Sequence, residues 1–463
     1  TYFAFGKYTK AWLGLLLVVS AALSYIRNQY NVLFDETMIQ NIMETDIHEA
    51  TELLSPNWLM YIISFGVAPA LLLSRVPIKP QYFHRDLLQR LFNTLILTLL
   101  LIAIIFPFYP TYASLLRNNR TLKSAVVPSG FIYSFYQYSR HAIPVSNKKL
   151  SPLGTDATIS ERLTGKKTIT VMVIGETARA ASFSLSGYRR NTNPQLKKRI
   201  QSKQDIVYYQ NFTACGTSTA VSLPCIFSAQ TRNDFDRGTA KNSENLLDVF
   251  SHAGLEVIWI DNNSGCKGIC SRIRYTDINK GDCNNKSCYD IILATELEKL
   301  MQSAATNILV VLHQQGSHGP SYHERVPENL QAFQPACKSN QLQECSHDEI
   351  INSYDNTIAY TDLVLASIID TLDSHSKDRD AMMLYVSDHG ESLGENNLYL
   401  HGMPYSIAPD EQTHIPALLW MSEGFRQRFG INMDCLKNNS SNDYSHDNVF
   451  HTMLGILDIN TSI

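Results

Sequence analysis

Residues 168–177 read Thr-Ile-Thr-Val-Met-Val-Ile-Gly-Glu-Thr. The first seven are rich in β-branched side chains, and a glycine and an acidic residue follow them. Such a run predicts a β-strand over residues 168–174, with Glu176 just beyond its carboxyl end. Similar runs predict five further strands, at residues 206–212, 256–260, 307–312, 381–386 and 416–420. Helical patterns lie between them, for example at residues 243–253, 289–302 and 351–375. This alternation predicts an α/β domain with a mainly parallel sheet flanked by helices.

Acidic and histidine side chains follow three of the predicted strands. Glu176 follows one strand, His313 and His318 follow another, and Asp388 and His389 follow a third. In this architecture ligands bind at the carboxyl ends of the strands. Zinc prefers such a mixture of oxygen and nitrogen ligands, with one position open for substrate. Each residue alone is more often a helix cap or a structural group, but three such places at one sheet edge favour a metal site.

A candidate nucleophile lies in residues 215–225, which read Cys-Gly-Thr-Ser-Thr-Ala-Val-Ser-Leu-Pro-Cys and follow the predicted strand at 206–212. The small residues permit a sharp turn into a helix, whose N-terminus favours an anion. A bound metal would lower the pKa of a hydroxyl there and activate it for attack. Thr217, Ser218 and Thr219 are all candidates. Simple helix capping would explain one hydroxyl but not the enclosing cysteine pair.

The N-terminal quarter has the composition of a membrane anchor. Three uncharged apolar stretches occur in it, at residues 11–26, 58–74 and 91–116. Each can cover the roughly 30 Å hydrocarbon core of a bilayer. A signal peptide imitates one such stretch but not three, and core helices of a soluble protein seldom contain uncharged runs of this length. The formal net charge of −4 argues against a nucleic-acid partner, which needs a concentrated basic surface.

Charges next to these stretches predict the orientation. Lys7 and Lys10 precede the first stretch, and a basic loop at residues 75–90 joins the second to the third. Basic loops stay in the cytoplasm, so the acidic loop after the first stretch and everything beyond about residue 116 should face outward. We predict a membrane part at 1–116, an interfacial connector at 117–165 and an outward α/β domain at 166–463. The connector contains an aromatic segment at 130–141, which suits either the membrane interface or an ordinary packed helix.

All nine cysteines lie in the outward part, and eight form close sequential pairs: Cys215/Cys225, Cys266/Cys270, Cys283/Cys288 and Cys337/Cys345. Close pairs suit disulfides in an oxidising compartment. Zinc thiolates are the alternative, but the spacings match zinc sites only loosely and an oxidising compartment disfavours them. Cys435 is left over and is expected to be a buried free thiol.

At these residues the sequence resembles the lipid A phosphoethanolamine transferases, the group that includes the mobile colistin-resistance enzymes. The resemblance rests on six motifs in family order, at residues 175–179, 215–225, 261–268, 317–320, 387–394 and 400–402. Of these, the Asp-His-Gly-Glu stretch by itself indicates only the alkaline-phosphatase superfamily. The resemblance implies an alkaline-phosphatase/sulfatase-like domain in the periplasm, anchored as a multi-pass protein in the inner membrane of a Gram-negative bacterium.

The resemblance also implies roles for individual residues. It makes Thr219 the nucleophile and the fourth ligand of one tightly bound zinc ion. The other three ligands are Glu176, Asp388 and His389. His318 and His401 line the site, where they hold a second zinc or the substrate phosphate and act as acid or base. Lys267 and Ser264 contact the phosphoryl or ethanolamine end of the substrate. The residues that contact the lipid head group are Asn41, Thr45 and Glu49. Asn41, Thr45 and Glu49 share one helix face by spacing alone, which on its own indicates a solvated face.

The implied reaction is a double displacement. Phosphatidylethanolamine of the inner membrane donates phosphoethanolamine to Thr219, and a phosphate of lipid A then accepts it. The added amine weakens the binding of polymyxin and other cationic peptides. A core heptose or Kdo as acceptor, or glycerophosphate transfer, are the alternatives within the superfamily. A sulfatase motif is missing around Cys225, and a non-catalytic membrane sensor would not need the complete residue set.

One feature departs from the implied pattern. The family has five membrane helices, whereas this sequence shows three and begins with Thr1. We therefore expect that a segment with the first two helices precedes residue 1 in the natural protein.

Overall fold

The structure is a computed structural model that describes residues 8–44, 54–77, 83–109, 124–142, 150–203, 205–278, 288–303 and 306–463. The described residues form two compact units. The first comprises residues 8–39 and 54–140, and the second comprises residues 40–44 and 141–463. The predicted boundaries at residues 116 and 165 stay predictions.

The first unit is helical. Its helices are α1 (Thr9–Tyr30), α2 (Glu36–Glu44), α3 (Pro56–Ile62), α4 (Ala68–Arg75), α5 (Phe83–Ile105) and α6 (Ser129–Ala142). The last residues of α2 and α6 belong to the second unit. A π-helical turn, Ile63–Val67, joins α3 to α4. Three helical segments are long and apolar enough to cross a membrane: Thr9–Tyr30, Pro56–Arg75 and Leu87–Phe108. The predicted stretches at 11–26 and 58–74 are therefore helical, as are residues 91–108 of the third, whose residues 110–116 lie outside the described residues.

Local chemistry explains how the second of these segments begins and packs. Pro56 is its first residue, and Ser55 Oγ accepts the backbone N–H of Trp58 at 3.0 Å, which caps the helix. Gly66 permits close contact with α1, because an added Cβ would lie 2.9 Å from Val18 Cα. By contrast, α5 leaves its apolar side chains exposed, as expected of a helix that faces lipid.

The second unit is built on a seven-stranded sheet with the order β3-β11-β8-β2-β7-β5-β6. Only β11 runs against the other strands, so the sheet is mainly parallel as predicted. These strands are β2 (Lys167–Gly175), β3 (Ile206–Tyr209), β5 (Glu256–Asp261), β6 (Arg274–Asp277), β7 (Ile308–His313), β8 (Arg379–Ser387) and β11 (Ala417–Met421). Short two-stranded sheets are formed by β1 (Thr158–Ile159) with β13 (Ile459–Asn460), β4 (Asn211–Thr213) with β12 (Asp443–Ser445), and β9 (Ser392–Leu393) with β10 (Tyr399–Leu400).

Helices cover both faces of the main sheet. They are α7 (Pro194–Lys203), α8 (Thr219–Ile226), α9 (Arg237–Lys241), α10 (Leu246–His252), α11 (Ile291–Ser303), α12 (His347–Ser374), α13 (Asp410–Thr413), α14 (Glu423–Phe429), α15 (Met433–Asn438) and α16 (Asp447–Ile456). Alternate residues of β2 enter two separate apolar clusters. Val171 and Val173 pack with α7, α11 and α12, whereas Met172 and Ile174 pack with α8, α10, α14 and α16. Burial on both faces explains the unbroken apolar character of β2.

One predicted strand and the start of one predicted helix differ most from the structure, and the edge strand β6 was not predicted. The strand predicted at residues 206–212 breaks at Gln210, whose N–H bonds to Ser440 O. Its first half, β3, joins the main sheet, and its second half, β4, pairs with β12. Helix α12 begins four residues earlier than predicted because Ser346 and Glu349 form a capping box.

The cysteines pair largely as expected. Disulfides join Cys215 to Cys225, Cys266 to Cys270, and Cys337 to Cys345. Cys288 is also disulfide-bonded, whereas its predicted partner Cys283 lies outside the described residues. Cys435 is free but exposed, so the prediction of a buried thiol was wrong. It lies on α15, a short helix without buried residues.

Candidate metal centre and nucleophile

Glu176, Asp388 and His389 form a buried cluster at the carboxyl ends of two neighbouring strands. β2 and β8 are parallel, and Gly175 lies opposite Ser387 in their register. The residues that follow therefore leave the sheet side by side. One ligand atom from each of the three side chains lies within 4.8 Å of the others.

Thr219 is the first residue of α8 and reaches this cluster. Its Oγ1 donates to Glu176, 3.0 Å from Oε2 and 3.2 Å from Oε1, and lies 3.4 Å from His389 Nε2. The other two candidate hydroxyls point elsewhere: Thr217 Oγ1 donates to Met403 O, and the buried Ser218 Oγ makes no hydrogen bond. The structure thus brings one of the three hydroxyls to the cluster.

The turn before Thr219 is held tightly. The Cys215–Cys225 disulfide closes it. An added Cβ on Gly216 would lie 2.8 Å from Val221 Cγ1, so the turn accepts no larger residue there. The N–H of Gly402 donates to Thr217 O, which links the turn to the segment that carries His401.

The donor atoms of the cluster fit a zinc ion. His389 Nδ1 donates to Gly390 O at 2.9 Å, so Nε2 is the ring atom that faces the carboxylates. Asp388 Oδ1 accepts two backbone N–H groups, while Oδ2 makes no hydrogen bond and lies 3.3 Å from His389 Nε2. Carboxylate oxygens and imidazole nitrogens are both ligands that zinc accepts, and here three such groups converge. The arrangement leaves Thr219 Oγ1 beside the same donors.

Electrostatics in the cluster also favour a cation. Burial, with the nearby Glu176 carboxylate, raises the pKa of Asp388 to about 6. Burial by itself would lower the pKa of His389, but the carboxylates of Asp388 and Glu176 outweigh it and raise this pKa to about 9. The metal-free cluster therefore keeps a proton on His389 at neutral pH, and this positive charge offsets the repulsion between the two buried carboxylates.

His318 and His401 lie beside the cluster. The His401 ring centroid is 4.5 Å from that of His389 and 5.3 Å from that of His318. His401 Nδ1 lies 2.8 Å from Glu391 Oε2, and Tyr322 OH donates to Glu391 Oε1 at 2.6 Å. Because the carboxylate holds Nδ1, the other ring nitrogen of His401 is left for substrate. Burial lowers the pKa of His318 to about 3, so this ring is neutral at pH 7.

A second group of polar residues adjoins Glu176 on its other side. Asn263 Nδ2 donates to Glu176 Oε2 at 2.8 Å. Ser264 follows Asn263 directly and accepts a hydrogen bond from Lys267 Nζ at its Oγ, at 3.1 Å. Lys267 has a φ of 49° and lies in the loop that the Cys266–Cys270 disulfide closes. The sequence motif thus forms one compact loop, and only its Asn263 bonds directly to a predicted metal ligand.

The chain matches two families whose combination is informative. Residues 168–459 match the Sulfatase family, and residues 1–143 match the family described as Phosphoethanolamine transferase EptA/EptB. Phosphoethanolamine transferase EptA of Salmonella typhimurium is 40% identical over 97% of this chain and 84% of its own length. The chain belongs to the EptA family of phosphoethanolamine transferases.

Two further relatives support this membership. Phosphatidylethanolamine transferase Mcr-1 of Escherichia coli is 38% identical over 88% of this chain and 77% of its own length. The solved structure of the integral membrane lipooligosaccharide phosphoethanolamine transferase A (EptA) from Neisseria meningitidis superposes with a TM-score of 0.93. It is 38% identical, and the match covers 99% of this chain and 86% of that one. The predicted family and fold class are thereby confirmed, and this EptA-family chain is a membrane protein with a soluble C-terminal domain.

Two of the three residues predicted to contact the lipid head group lie outside the described residues. Asn41 lies on α2, whereas Thr45 and Glu49 are outside the described residues. Their common helix face therefore stays a prediction for this EptA-family enzyme, as do the roles of the other site residues.

Sequence reasoning missed several polar residues of the site. Glu391 and Asn263 stand within two of the six motifs, and the available signal was their position, two residues after His389 and directly before Ser264. Tyr322 carried no such signal. His313 was grouped with the metal-site residues, but its Nδ1 lies 3.2 Å from Asp261 Oδ2 and its Nε2 lies 3.3 Å from Asn263 Nδ2. His313 is therefore linked to Glu176 through Asn263.

Proposed function

We propose that this enzyme transfers phosphoethanolamine from phosphatidylethanolamine to a phosphate of lipid A, through a covalent phosphoethanolamine ester on Thr219. The observation that carries the proposal is the position of Thr219 Oγ1, at a helix N-terminus and 3.0 Å from Glu176 Oε2. A hydroxyl placed in this way can attack phosphorus while the helix dipole stabilises the phosphoryl charge.

In the first step Thr219 Oγ1 forms a bond to phosphorus and the bond from phosphorus to the glycerol oxygen breaks. The hydroxyl proton leaves along the hydrogen bond to Glu176. The departing diacylglycerol oxygen takes a proton from Nε2 of His401. Glu391, which is buried and hydrogen-bonded to Nδ1 of the same ring, would hold the ring with Nε2 directed at this oxygen.

In the second step an oxygen of a lipid A phosphate attacks the same phosphorus. Its proton restores His401, and the bond from phosphorus to Thr219 Oγ1 breaks as Glu176 returns the proton. Neutral His318 and the ammonium group of Lys267 would hold the phosphoryl oxygens during both steps. Since the attacking and leaving groups alternate at one position, the same residues serve each half of the reaction.

Glu176, Asp388, His389 and Thr219 would hold one zinc ion, which when bound lowers the pKa of the attacking hydroxyl and neutralises phosphoryl charge. As an alternative to proton transfer and phosphoryl binding, His318 and His401 would hold a second zinc ion.

The membrane anchor places the enzyme where its lipid substrates are. The three apolar helical segments, with basic residues on the predicted cytoplasmic side, support an inner-membrane location with the catalytic domain in the periplasm. Phosphatidylethanolamine and lipid A both lie in that membrane. The transferred amine adds positive charge to the cell surface, from which we infer resistance to polymyxin and similar cationic peptides.

Mass spectrometry of lipopolysaccharide tests the proposal. Gram-negative cells that express the protein should add one phosphoethanolamine group to a lipid A phosphate, and cells that express Thr219→Ala should add none. Addition that persists in Thr219→Ala would contradict the assigned nucleophile. Addition only at Kdo or a core heptose would overturn the assigned acceptor while leaving the chemistry in place.

A further inference from the structure

His446 lies at the start of α16 and connects three segments of the second unit. It is buried, with 1% of its surface exposed. Its backbone N–H donates to Thr213 O at 3.0 Å. Its ring nitrogens lie 2.9 Å from Cys215 N and 2.9 Å from Ser387 O.

The two ring contacts determine the protonation state of His446. A backbone N–H can only donate, so Nδ1 must accept from Cys215. A carbonyl oxygen can only accept, so Nε2 must carry the hydrogen that it donates to Ser387. Only the neutral ring with hydrogen on Nε2 satisfies both partners. Burial lowers the pKa of His446 to about 3, which keeps the ring neutral.

Each hydrogen-bond partner of this ring lies close along the chain to residues of the proposed site. Cys215 opens the disulfide-closed turn that leads to Thr219. Ser387 is the last residue of β8 and directly precedes Asp388 and His389.

The turn follows β4, which pairs with β12 and not with the main sheet. Backbone hydrogen bonds from Ala214 N–H to Thr413 O and from Ile415 N–H to Phe212 O tie this segment to the residues before β11. His446 adds a direct link between the turn and the end of β8.

We infer that His446 is a positioning residue, whose neutral imidazole sets the spacing between the turn that carries Thr219 and the strand end that carries Asp388 and His389. This inference rests on the proposed function for the role of Thr219. His446 touches no proposed ligand, and it acts through the backbone at both ends. Misplacement of a reacting group by about 1 Å can cost about a hundredfold in rate, so a small relaxation here should be measurable.

The alternative is a core histidine that only stabilises the fold. The two roles differ in what a substitution changes. Loss of stability alone lowers the unfolding temperature and the amount of folded enzyme, whereas loss of position lowers kcat of the folded enzyme. KM for the donor lipid should change little, because His446 lies behind the reacting groups.

The test compares His446→Phe with His446→Gln in the full chain, purified in detergent. Phenylalanine keeps an aromatic ring beside Phe212, 6.1 Å away between centroids, but loses both hydrogen bonds. Glutamine keeps one acceptor and one donor. Release of diacylglycerol from fluorescent phosphatidylethanolamine gives kcat and KM, and unfolding temperature and zinc content are measured on the same samples. His451→Phe, at an exposed position of α16, is the matched control.

We expect kcat to fall about tenfold to a hundredfold in His446→Phe, with KM within about twofold. His446→Gln should recover most of the loss, and His451→Phe should match the wild type. Equal kcat for folded His446→Phe and wild type would overturn the inference, as would equal impairment of both His446 variants. If His446→Phe does not fold, nitrogen NMR of the native protein decides, since a ring with hydrogen on Nδ1, or a charged ring, at pH 7 overturns it.

Thr219→Ala in the same assay separates this inference from the proposed function. Residual diacylglycerol release in Thr219→Ala would contradict the nucleophile. An inactive Thr219→Ala together with a fully active His446→Phe would contradict only the positioning role.

Discussion

Thr219 Oγ1 lies 3.4 Å from His389 Nε2, although 170 residues separate the two along the chain. The contact joins the first residue of α8 to the residues that follow β8, and Glu176 hydrogen-bonds to Thr219 from the end of β2. Because three elements meet at this point, substitutions of Thr219, His389 and their neighbours test separate parts of the proposed chemistry.

Thr219→Ala should reduce transfer by at least about a thousandfold, because it removes the oxygen that forms the covalent ester. Thr219→Ser should retain measurable transfer because it keeps that oxygen. Ser218→Ala is the matched control, since the neighbouring Ser218 Oγ is buried without a hydrogen bond. Transfer of labelled phosphoethanolamine to lipid A measures all three, and an active Thr219→Ala enzyme would exclude the covalent mechanism.

His389→Ala should lose the bound zinc, because the remaining carboxylates repel each other and provide no nitrogen ligand. Elemental analysis of the purified protein measures the zinc content. Chelation of the wild type should abolish transfer, and added zinc should restore it. His451→Ala removes an exposed histidine and should keep its zinc. Undiminished zinc in His389→Ala would remove this residue from the ligand set.

Zinc affinity should depend on pH with a known sign. The carboxylates of Asp388 and Glu176 outweigh burial and raise the pKa of His389 to about 9, so a proton competes with zinc for Nε2 below that pH. Affinity should therefore rise about tenfold per unit as the pH increases towards 9. Below about pH 6 the slope should steepen, because burial also raises the pKa of Asp388 to about 6.

Competition with a chromophoric chelator measures this pH dependence. Ser218→Ala keeps every proposed ligand and should show the same slope. A flat affinity between about pH 6 and about pH 8 would contradict the assignment of His389 as a ligand.

Glu391→Gln should lower kcat about tenfold to a hundredfold with little change in KM, because His401 then loses the carboxylate that orients its ring for proton transfer. Tyr322→Phe should have a smaller effect, since it removes only the outer hydrogen bond to Glu391. Steady-state release of diacylglycerol measures both variants. A Glu391→Gln enzyme with wild-type kcat would show that His401 does not transfer the proton.

Much of the fold could be predicted because its elements have strong local signals. β2 is rich in β-branched residues, and α12 has a regular apolar face with a capping box at its start. The strand predicted at residues 206–212 is interrupted at Gln210, and a local run of residues does not show that its two halves pair with different strands. The edge strand β6 was missed because its residues are exposed or half-buried and lack an apolar pattern.

The amino-acid sequence by itself determined which chemistry this protein could contain. Glu176, Asp388 and His389 were identified by their positions directly after predicted strands. The motif between Cys215 and Cys225 limited the candidate nucleophiles to three hydroxyl groups. These predictions succeed because parallel strands deliver the residues that follow them to one edge.

The family resemblance selected Thr219 among these hydroxyls, and the tertiary structure shows that its Oγ1 faces the cluster and what holds it there. Thr219 is distinguished from Thr217 and Ser218 by the turn that the disulfide closes and by the start of α8. His446 and Glu391 acquire their roles from hydrogen bonds to segments far away in sequence. Contacts of this kind depend on packing between elements, which no local pattern of residues encodes.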